Sequence, residues 1–212
     1  GRNPVARVRK FPEESRSRVL SLDEIGRFLR VARQSTHPLN AAIQFALFTG
    51  ARRSNVTSAE WAEIDLEGRL WTIPASKAKG KKDIRIPLSP RALEIVQERR
   101  RTIPMDRPFV FGITGQKPLA FARRIWTAIL RDAEITGVTP HDLRRTLATC
   151  MVLANVQSAV ISKALGHSNG AGSGGAAITG VYMRPGDEEV RRAFEAAALL
   201  IEGTVNQPRA QR

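Results

Sequence analysis

Apolar residues recur at helical spacing along most of the chain. In "SLDEIGRFLRVA", the residues Leu22, Ile25 and Phe28 share one face, and Glu24 follows Ser21 at the spacing of a capping box. "LNAAIQFALFTG" is nearly all apolar, which predicts a buried helix that ends at Gly50. The same periodicity predicts further helices over 89–101, 118–133, 140–154, 158–165 and 187–201.

Between residues 63 and 87, the spacing of apolar residues changes from helical periodicity to alternation. Short strands are predicted near 63–66, 69–73 and 83–87, and the last two are joined by the basic turn "SKAKGKK". The chain is therefore expected to be mainly α with a small antiparallel β-sheet, an α+β class. One domain is expected over 19–202, after an arm or interdomain linker over 1–18 and before a tail over 203–212.

The charge balance narrows the choice of partner. Lys and Arg number 34 against 20 acids, a net charge of +14, and most of the basic residues are arginine. The planar fork of arginine suits phosphate oxygens, so the expected partner is a polyanion, most simply double-stranded DNA. A basic solvated surface is the alternative. The single cysteine, the lack of a membrane-length apolar run and the lack of a signal peptide favour a cytoplasmic, nucleoid-associated setting with no membrane partner.

Two arginine motifs could form a phosphate site. In "TPHDLRRT", His141 and Arg144 are expected on one face of the first turn of a helix, beside its free N–H groups. In "TGARRS", Arg52 follows the glycine that ends the buried helix, so its backbone is expected to be held rigidly against the core. Taken alone, each motif fits a solvated basic surface equally well.

Three other positions carry possible proton chemistry. "ALGHSN" places His167 at the end of a short helix, where it could also be a simple partner of the helix dipole. The basic turn carries several lysines that could follow the DNA backbone or be solvated. Tyr182, in "GVYMR", is the only tyrosine of the chain. No metal-binding spacing and no ATP-binding loop are present, so phosphoryl chemistry would have to use these side chains alone.

The motifs "TGARRS", "SKAKGKKDIRIPL", "TPHDLRRT", "ALGHSN" and "GVYMR", taken in this order, resemble the catalytic domain of the tyrosine recombinases, the phage-integrase family. The resemblance covers roughly residues 20 to 202. It implies the integrase-like catalytic-domain fold, with an N-terminal core-binding domain absent from this chain.

The resemblance also implies roles for single residues. Arg52 and Arg144 would clamp the scissile phosphate, and His141 and His167 would hydrogen-bond it and assist proton transfer. Tyr182 would attack the phosphorus, giving a 3′-phosphotyrosine and a free 5′ hydroxyl without metal, ATP or other cofactor. Lys79 would be the hairpin lysine that protonates the leaving 5′ oxygen. It is preferred to Lys77 because its distance to the "IPL" strand matches the hairpin of the family. The expected contacts to the DNA backbone are Arg53, Lys77, Lys81, Lys82 and Arg145.

Two departures from the family pattern concern the site. Asn55 stands where the family usually carries an acid, and the stretch over 168–177 is longer and richer in glycine than usual. The glycines would act either as a tether that lets Tyr182 move into the site or as an inert insertion.

The function implied is that of an integrase encoded by a phage, prophage or genomic island, acting on DNA as a homotetramer. Trans docking of helix 187–201 and accessory DNA-bending or excision factors are further expectations. A non-catalytic DNA-binding module of the same fold and a type IB topoisomerase are the alternatives.

Overall fold

The computed structural model describes residues 18–78, 80–166 and 185–205. Within these ranges the chain forms mostly helices with a small sheet. The helices are α1 (Leu22–Arg33), α2 (Pro38–Thr49), α3 (Arg53–Thr57), α4 (Pro90–Thr102), α5 (Arg123–Asp132), α6 (Asp142–Leu153), α7 (Ser158–Ala164) and α8 (Asp187–Gly203). The strands are β1 (Ile64–Asp65), β2 (Leu70–Ile73) and β3 (Ile84–Pro87), and a short 3-10 helix over Trp61–Glu63 precedes β1. The predicted α+β class is confirmed.

Helix α2 lies at the centre of the domain, as its apolar sequence predicts. It contacts α1, α3, α4, α6 and α8, and Phe45 and Leu47 are completely buried. It ends at Gly50, whose φ of 60° lies in the left-handed region that favours glycine. The chain is thereby turned directly from the core into the motif "ARRS".

The three strands form an antiparallel sheet in the order β1-β2-β3. Trp71 of β2 pairs with Ile64 on one side and with Ile86 on the other. Its indole ring is fully buried and lies 5.2 Å from the ring of Phe45. This packing fixes the sheet against α2 and sets the direction in which the basic turn leaves it.

The starts of two predicted helices were wrong. The helix predicted over 118–133 begins only at Arg123, and in the segment before it the Leu119 N–H donates to the carbonyl of Thr57. The helix predicted from 140 begins at Asp142, after a turn closed by a hydrogen bond from its N–H to the Thr139 carbonyl. A tertiary contact accompanies the later start of the first helix, and a local turn accompanies that of the second.

Two local features were not predicted. The five-residue helix α3 follows directly after Arg52. His37, to which the sequence assigns no role, caps α2 by accepting a hydrogen bond from the Leu39 N–H at Nδ1. The capping box of Ser21 and Glu24 at the start of α1 is confirmed.

Helix α8 packs on its own domain. Its apolar stripe, including Val190, Phe194 and Ile201, is buried, and the helix contacts α1, α2, α4, α6 and α7. The helix is therefore docked in cis in this structure, and the trans docking expected through helix 187–201 stays a prediction. Beyond the helix, the Val205 carbonyl accepts a hydrogen bond from Arg30, so the packed region continues past residue 202.

None of the helices in the described ranges has the length and apolar character needed to cross a bilayer.

Candidate phosphate-binding site

Arg52 lies between two rigid elements. Ala51 before it is buried, and Arg52 itself takes the N-cap position of α3 with an extended backbone (φ −63°, ψ 143°). Its side chain makes no capping hydrogen bond and is partly exposed. The expectation that the end of α2 holds this backbone in place is consistent with this geometry.

Arg144 is a buried cation, with only 9% of its surface exposed. One terminal nitrogen donates to the carbonyl of Gly50 at 2.8 Å, and the other donates to the carbonyl of Leu165. The side chain therefore ties together the end of α2, helix α6 and the end of α7. Both acceptors are neutral, so they orient the guanidinium without cancelling its charge.

Arg144 donates to the carbonyl of Gly50, two residues before Arg52, so the two arginines belong to the same part of the fold. Burial, assisted by the nearby positive charge of Arg52, lowers the pKa of Arg144 to about 10, which leaves it protonated at neutral pH. Within the described ranges, no carboxylate forms a salt bridge with either guanidinium. Two neighbouring cations that no described acid neutralises make a site for an external anion.

His141 and Arg145 lie at the start of the same helix. His141 is exposed at the N-cap of α6, and its carbonyl accepts a hydrogen bond from the Arg144 N–H. The Asp142 carboxylate is buried and accepts from the Thr139 N–H and hydroxyl, while Arg145 forms an ion pair with it at 3.4 Å. The carboxylate thus fixes the start of α6, and with it the positions of His141 and Arg144.

The lysines of the basic turn differ in their surroundings. Lys81 and Lys82 are exposed, as a contact to the DNA backbone requires. Lys77 instead turns inward and forms ion pairs with Glu60 and Glu63. Its role as a backbone contact stays a prediction, and these ion pairs weigh against it.

Arg53 and Asn55 lie on α3 beside Arg52. The Arg53 guanidinium stacks over the ring of Phe121 at 4.9 Å from its centroid, which holds an exposed cation in one orientation. Asn55 is 4% exposed, so the position at which the family usually has an acid is buried under the site. The predicted site residues Lys79, His167 and Tyr182 lie outside the described residues.

Sequence reasoning missed the groups that orient the site. The carbonyls of Gly50 and Leu165 hold Arg144, and the pair Glu60 and Glu63 holds Lys77. Main-chain acceptors carry no signal in the sequence. The two acids do, because they stand three residues apart just before β1. In the described part of the chain, no three His, Cys, Asp or Glu residues are grouped so that they could hold a metal ion.

The described residues form a mainly helical domain in which Arg52 follows the end of α2 and the buried Arg144 donates to the carbonyl of Gly50 at that end. The model of the phage integrase family matches residues 18–183. The chain therefore belongs to the phage integrase family.

Relatives and solved structures agree with this assignment. The integrase of Salmonella phage P22 is 28% identical over 171 residues, which cover 76% of this chain and 43% of that protein. The integrase from mycobacterium phage Brujita has the same fold, with a TM-score of 0.66, 22% identity and coverage of 96% of this chain and 68% of that one. The XerH site-specific recombinase, solved bound to its difH substrate, has a TM-score of 0.53 at 22% identity, over 71% of this chain and 47% of that one. The chain thus spans less than half the length of the P22 integrase and of XerH.

Proposed function

We propose that the protein is a site-specific DNA recombinase that cleaves and rejoins strands through a 3′-phosphotyrosine. The observation that carries the proposal is the buried, oriented Arg144 beside Arg52, two cations that no described carboxylate neutralises. A phosphodiester that passes through a pentacovalent transition state gains negative charge on its non-bridging oxygens. Donors fixed in advance stabilise that charge more than they stabilise the ground state.

The reaction can be written with every atom accounted for. The Tyr182 hydroxyl oxygen bonds to phosphorus, and the bond from phosphorus to the 5′ oxygen breaks. The phenolic proton passes to a base, for which His141 and His167 are the candidates, and Lys79 gives a proton to the leaving 5′ oxygen. The reverse sequence rejoins the strand. The energy of the diester is kept in the phosphotyrosine, so no metal, nucleotide or other cofactor enters any step.

A covalent adduct is the direct test. A pool of nicked duplexes of randomised sequence, incubated with the protein, should give a protein–DNA adduct that survives denaturing electrophoresis. Tyr182→Phe should bind the same pool but form no adduct, because it lacks the nucleophilic oxygen. An adduct that survives this substitution would identify another nucleophile. A wild-type protein that binds DNA but forms no adduct would favour the non-catalytic DNA-binding module.

Strand-exchange products separate a recombinase from a type IB topoisomerase. Sequences recovered in the adduct should support exchange between two duplexes that carry them. Relaxation of supercoiled DNA without exchange would favour the topoisomerase.

The proposal includes a homotetramer on DNA, accessory DNA-bending or excision factors and a cytoplasmic, nucleoid-associated setting in a cell that carries a phage, prophage or genomic island. Because α8 is docked on its own domain, a tetramer would have to use another surface or release this helix. Crosslinking of the intact protein on the DNA sites recovered above distinguishes the two routes: crosslinks between α8 and a neighbouring protomer show release of the helix, and crosslinks elsewhere show another surface.

A further inference from the structure

The side chain of Lys77 is held at the base of the basic turn by three acceptors. Its ammonium donates to the Ser58 carbonyl at 2.9 Å, to the Glu60 carboxylate at 2.7 Å and to the Glu63 carboxylate. Only 25% of the Lys77 side chain is exposed. An ammonium group has three donors, and here all three are satisfied within the protein.

Glu63 connects this contact to the core. Its side chain is 8% exposed, and its second oxygen accepts a hydrogen bond of 3.0 Å from the indole N–H of Trp71. Trp71 is fully buried at the centre of the sheet. The Lys77 ammonium is thus linked through a single carboxylate to one of the most rigid side chains of the domain.

Further contacts hold the turn on both sides of Lys77. The Ala75 N–H donates to the Asp83 carboxylate at 2.8 Å across the turn, and the Ala78 N–H donates to the Pro74 carbonyl at 3.1 Å. The Ala78 side chain is buried. The Lys81 N–H then donates back to the Ala78 carbonyl at 3.0 Å. The turn is therefore a fixed structure up to Ala78, the residue directly before Lys79.

We propose that Lys77 is a positioning residue for the leaving-group step and not a contact to DNA. Its ion pairs with Glu60 and Glu63 fix the chain two residues before Lys79, the residue to which the proposed function gives proton transfer to the departing 5′ oxygen. This inference rests on the proposed recombinase function. A Lys77 ammonium that bound phosphate would have to leave both carboxylates, and Glu63 would stay buried without its cation.

The salt dependence of DNA binding separates the two roles. A lysine that contacts a phosphate contributes about one unit to the slope of log affinity against log salt. With a random-sequence duplex as the probe, Lys77→Met should leave the slope of the full-length protein unchanged. The exposed Lys81→Met is the matched control, and it should lower the slope by about one. A slope lowered to the same extent by Lys77→Met would overturn the proposal.

The chemistry of the leaving group tests the positioning itself. With the cleavage sequence recovered from the nicked pool, a substrate whose bridging 5′ oxygen is replaced by sulfur loses a thiolate that needs no proton. Lys77→Met should slow adduct formation on the oxygen substrate about 10- to 100-fold, the range expected for a displaced catalytic group. The sulfur substrate should restore most of the lost rate of adduct formation in Lys77→Met, as it should in Lys79→Met. An equal loss on both substrates would mean that Lys77 only supports the fold.

The double variant Lys77→Met/Glu63→Gln guards against misfolding, because it removes the buried charge together with its partner. Its rate of adduct formation should likewise be low on the oxygen substrate and largely restored on the sulfur substrate. A wild-type protein that forms no adduct on either substrate would fail the recombinase proposal itself. A wild-type adduct with no oxygen-specific defect in the two variants would fail only the assignment of Lys77.

Discussion

Arg144 and Lys77 are two largely buried cations whose partners differ in kind. Arg144 donates to two neutral carbonyls, those of Gly50 and Leu165, whereas Lys77 donates to the carboxylates of Glu60 and Glu63. The carbonyls orient a charge and leave it available to an anion. The carboxylates orient a charge and also neutralise it. The comparison shows that the partners of a basic side chain, and not its burial, separate a group available to a ligand from a group that holds the fold.

The pKa values move in opposite directions for the same reason. Burial and then Arg52 lower the pKa of Arg144. Burial also opposes the charge of Lys77, but the two glutamates outweigh it and raise its pKa. An anion placed beside Arg144 would offset the unfavourable burial of the guanidinium charge. An anion placed beside Lys77 would meet Glu60 and Glu63, which already neutralise the ammonium.

The largest expected effect is on cleavage by Arg144→Lys. The substitution keeps the charge but loses the planar fork that spans the two carbonyls, so the remaining ammonium is no longer oriented. Adduct formation on the nicked pool should fall about 1,000-fold, the upper range for losing one oriented donor to a developing oxyanion. Binding of random duplex should change less than threefold, or about 0.6 kcal/mol. A variant within tenfold of wild-type cleavage would contradict the role given to the carbonyl-held guanidinium.

The second-largest expected effect is a lower free energy of unfolding, caused by a substitution at Lys77. Lys77→Met leaves the buried Glu63 carboxylate without its cation. It should lower the free energy of unfolding by about 2 kcal/mol, less than for a fully buried pair because Lys77 is partly exposed. Urea unfolding measures the change. The double variant Lys77→Met/Glu63→Gln should recover more than half of the loss, and a double variant less stable than the single one would show that the pair is not the cause.

The sequence predicts the secondary structure around the site better than it predicts the contacts within the site. Strands expected near 69–73 and 83–87 are found at Leu70–Ile73 and Ile84–Pro87, and the glycine end of α2 is correct. These features depend on local spacing. The segment before α5 was predicted to be helical, but Leu119 there pairs with Thr57, a partner that is remote in sequence. Local signals carry no information about such pairing.

The proximity of Arg52 and Arg144 could not be derived from either motif alone. It depends on how α2 and α6 pack, and only the order of motifs in the family indicates it. The inward direction of Lys77 was missed because side chains in an irregular turn follow no alternation that could be read from the sequence. The acidic residues Glu60 and Glu63 were the sequence signal that could have indicated this direction.

A smaller effect is expected from inorganic phosphate. If the arginine pair binds an anion, phosphate at ten times its Kd should stabilise the protein by about 1.4 kcal/mol. For a domain of this size the melting temperature should rise by about 3 to 6 °C. Arg144→Gln should abolish the rise, whereas Lys77→Met should keep it, since its carboxylates offer no anion site. Equal stabilisation of all three proteins would mean that phosphate acts elsewhere or by exclusion from the surface.

The smallest effect is on the pH dependence of stability. The raised pKa of Lys77 means that its ion pairs stabilise the fold fully below the ordinary value of 10.5 and lose this contribution as pH rises through the higher value in the folded state. For Arg144 the sign is reversed, because its lowered pKa makes the buried charge a cost that disappears as pH rises above about 10. The difference in unfolding free energy between wild type and Lys77→Met/Glu63→Gln should therefore be constant from pH 7 to 10. Above that range it should shift against the wild type by about 0.5 kcal/mol, as for a partly exposed ion pair. Both proteins keep Arg144, so its opposite contribution cancels in the difference, and a gap that stayed flat through the alkaline range would show that the glutamates do not hold the charge of Lys77.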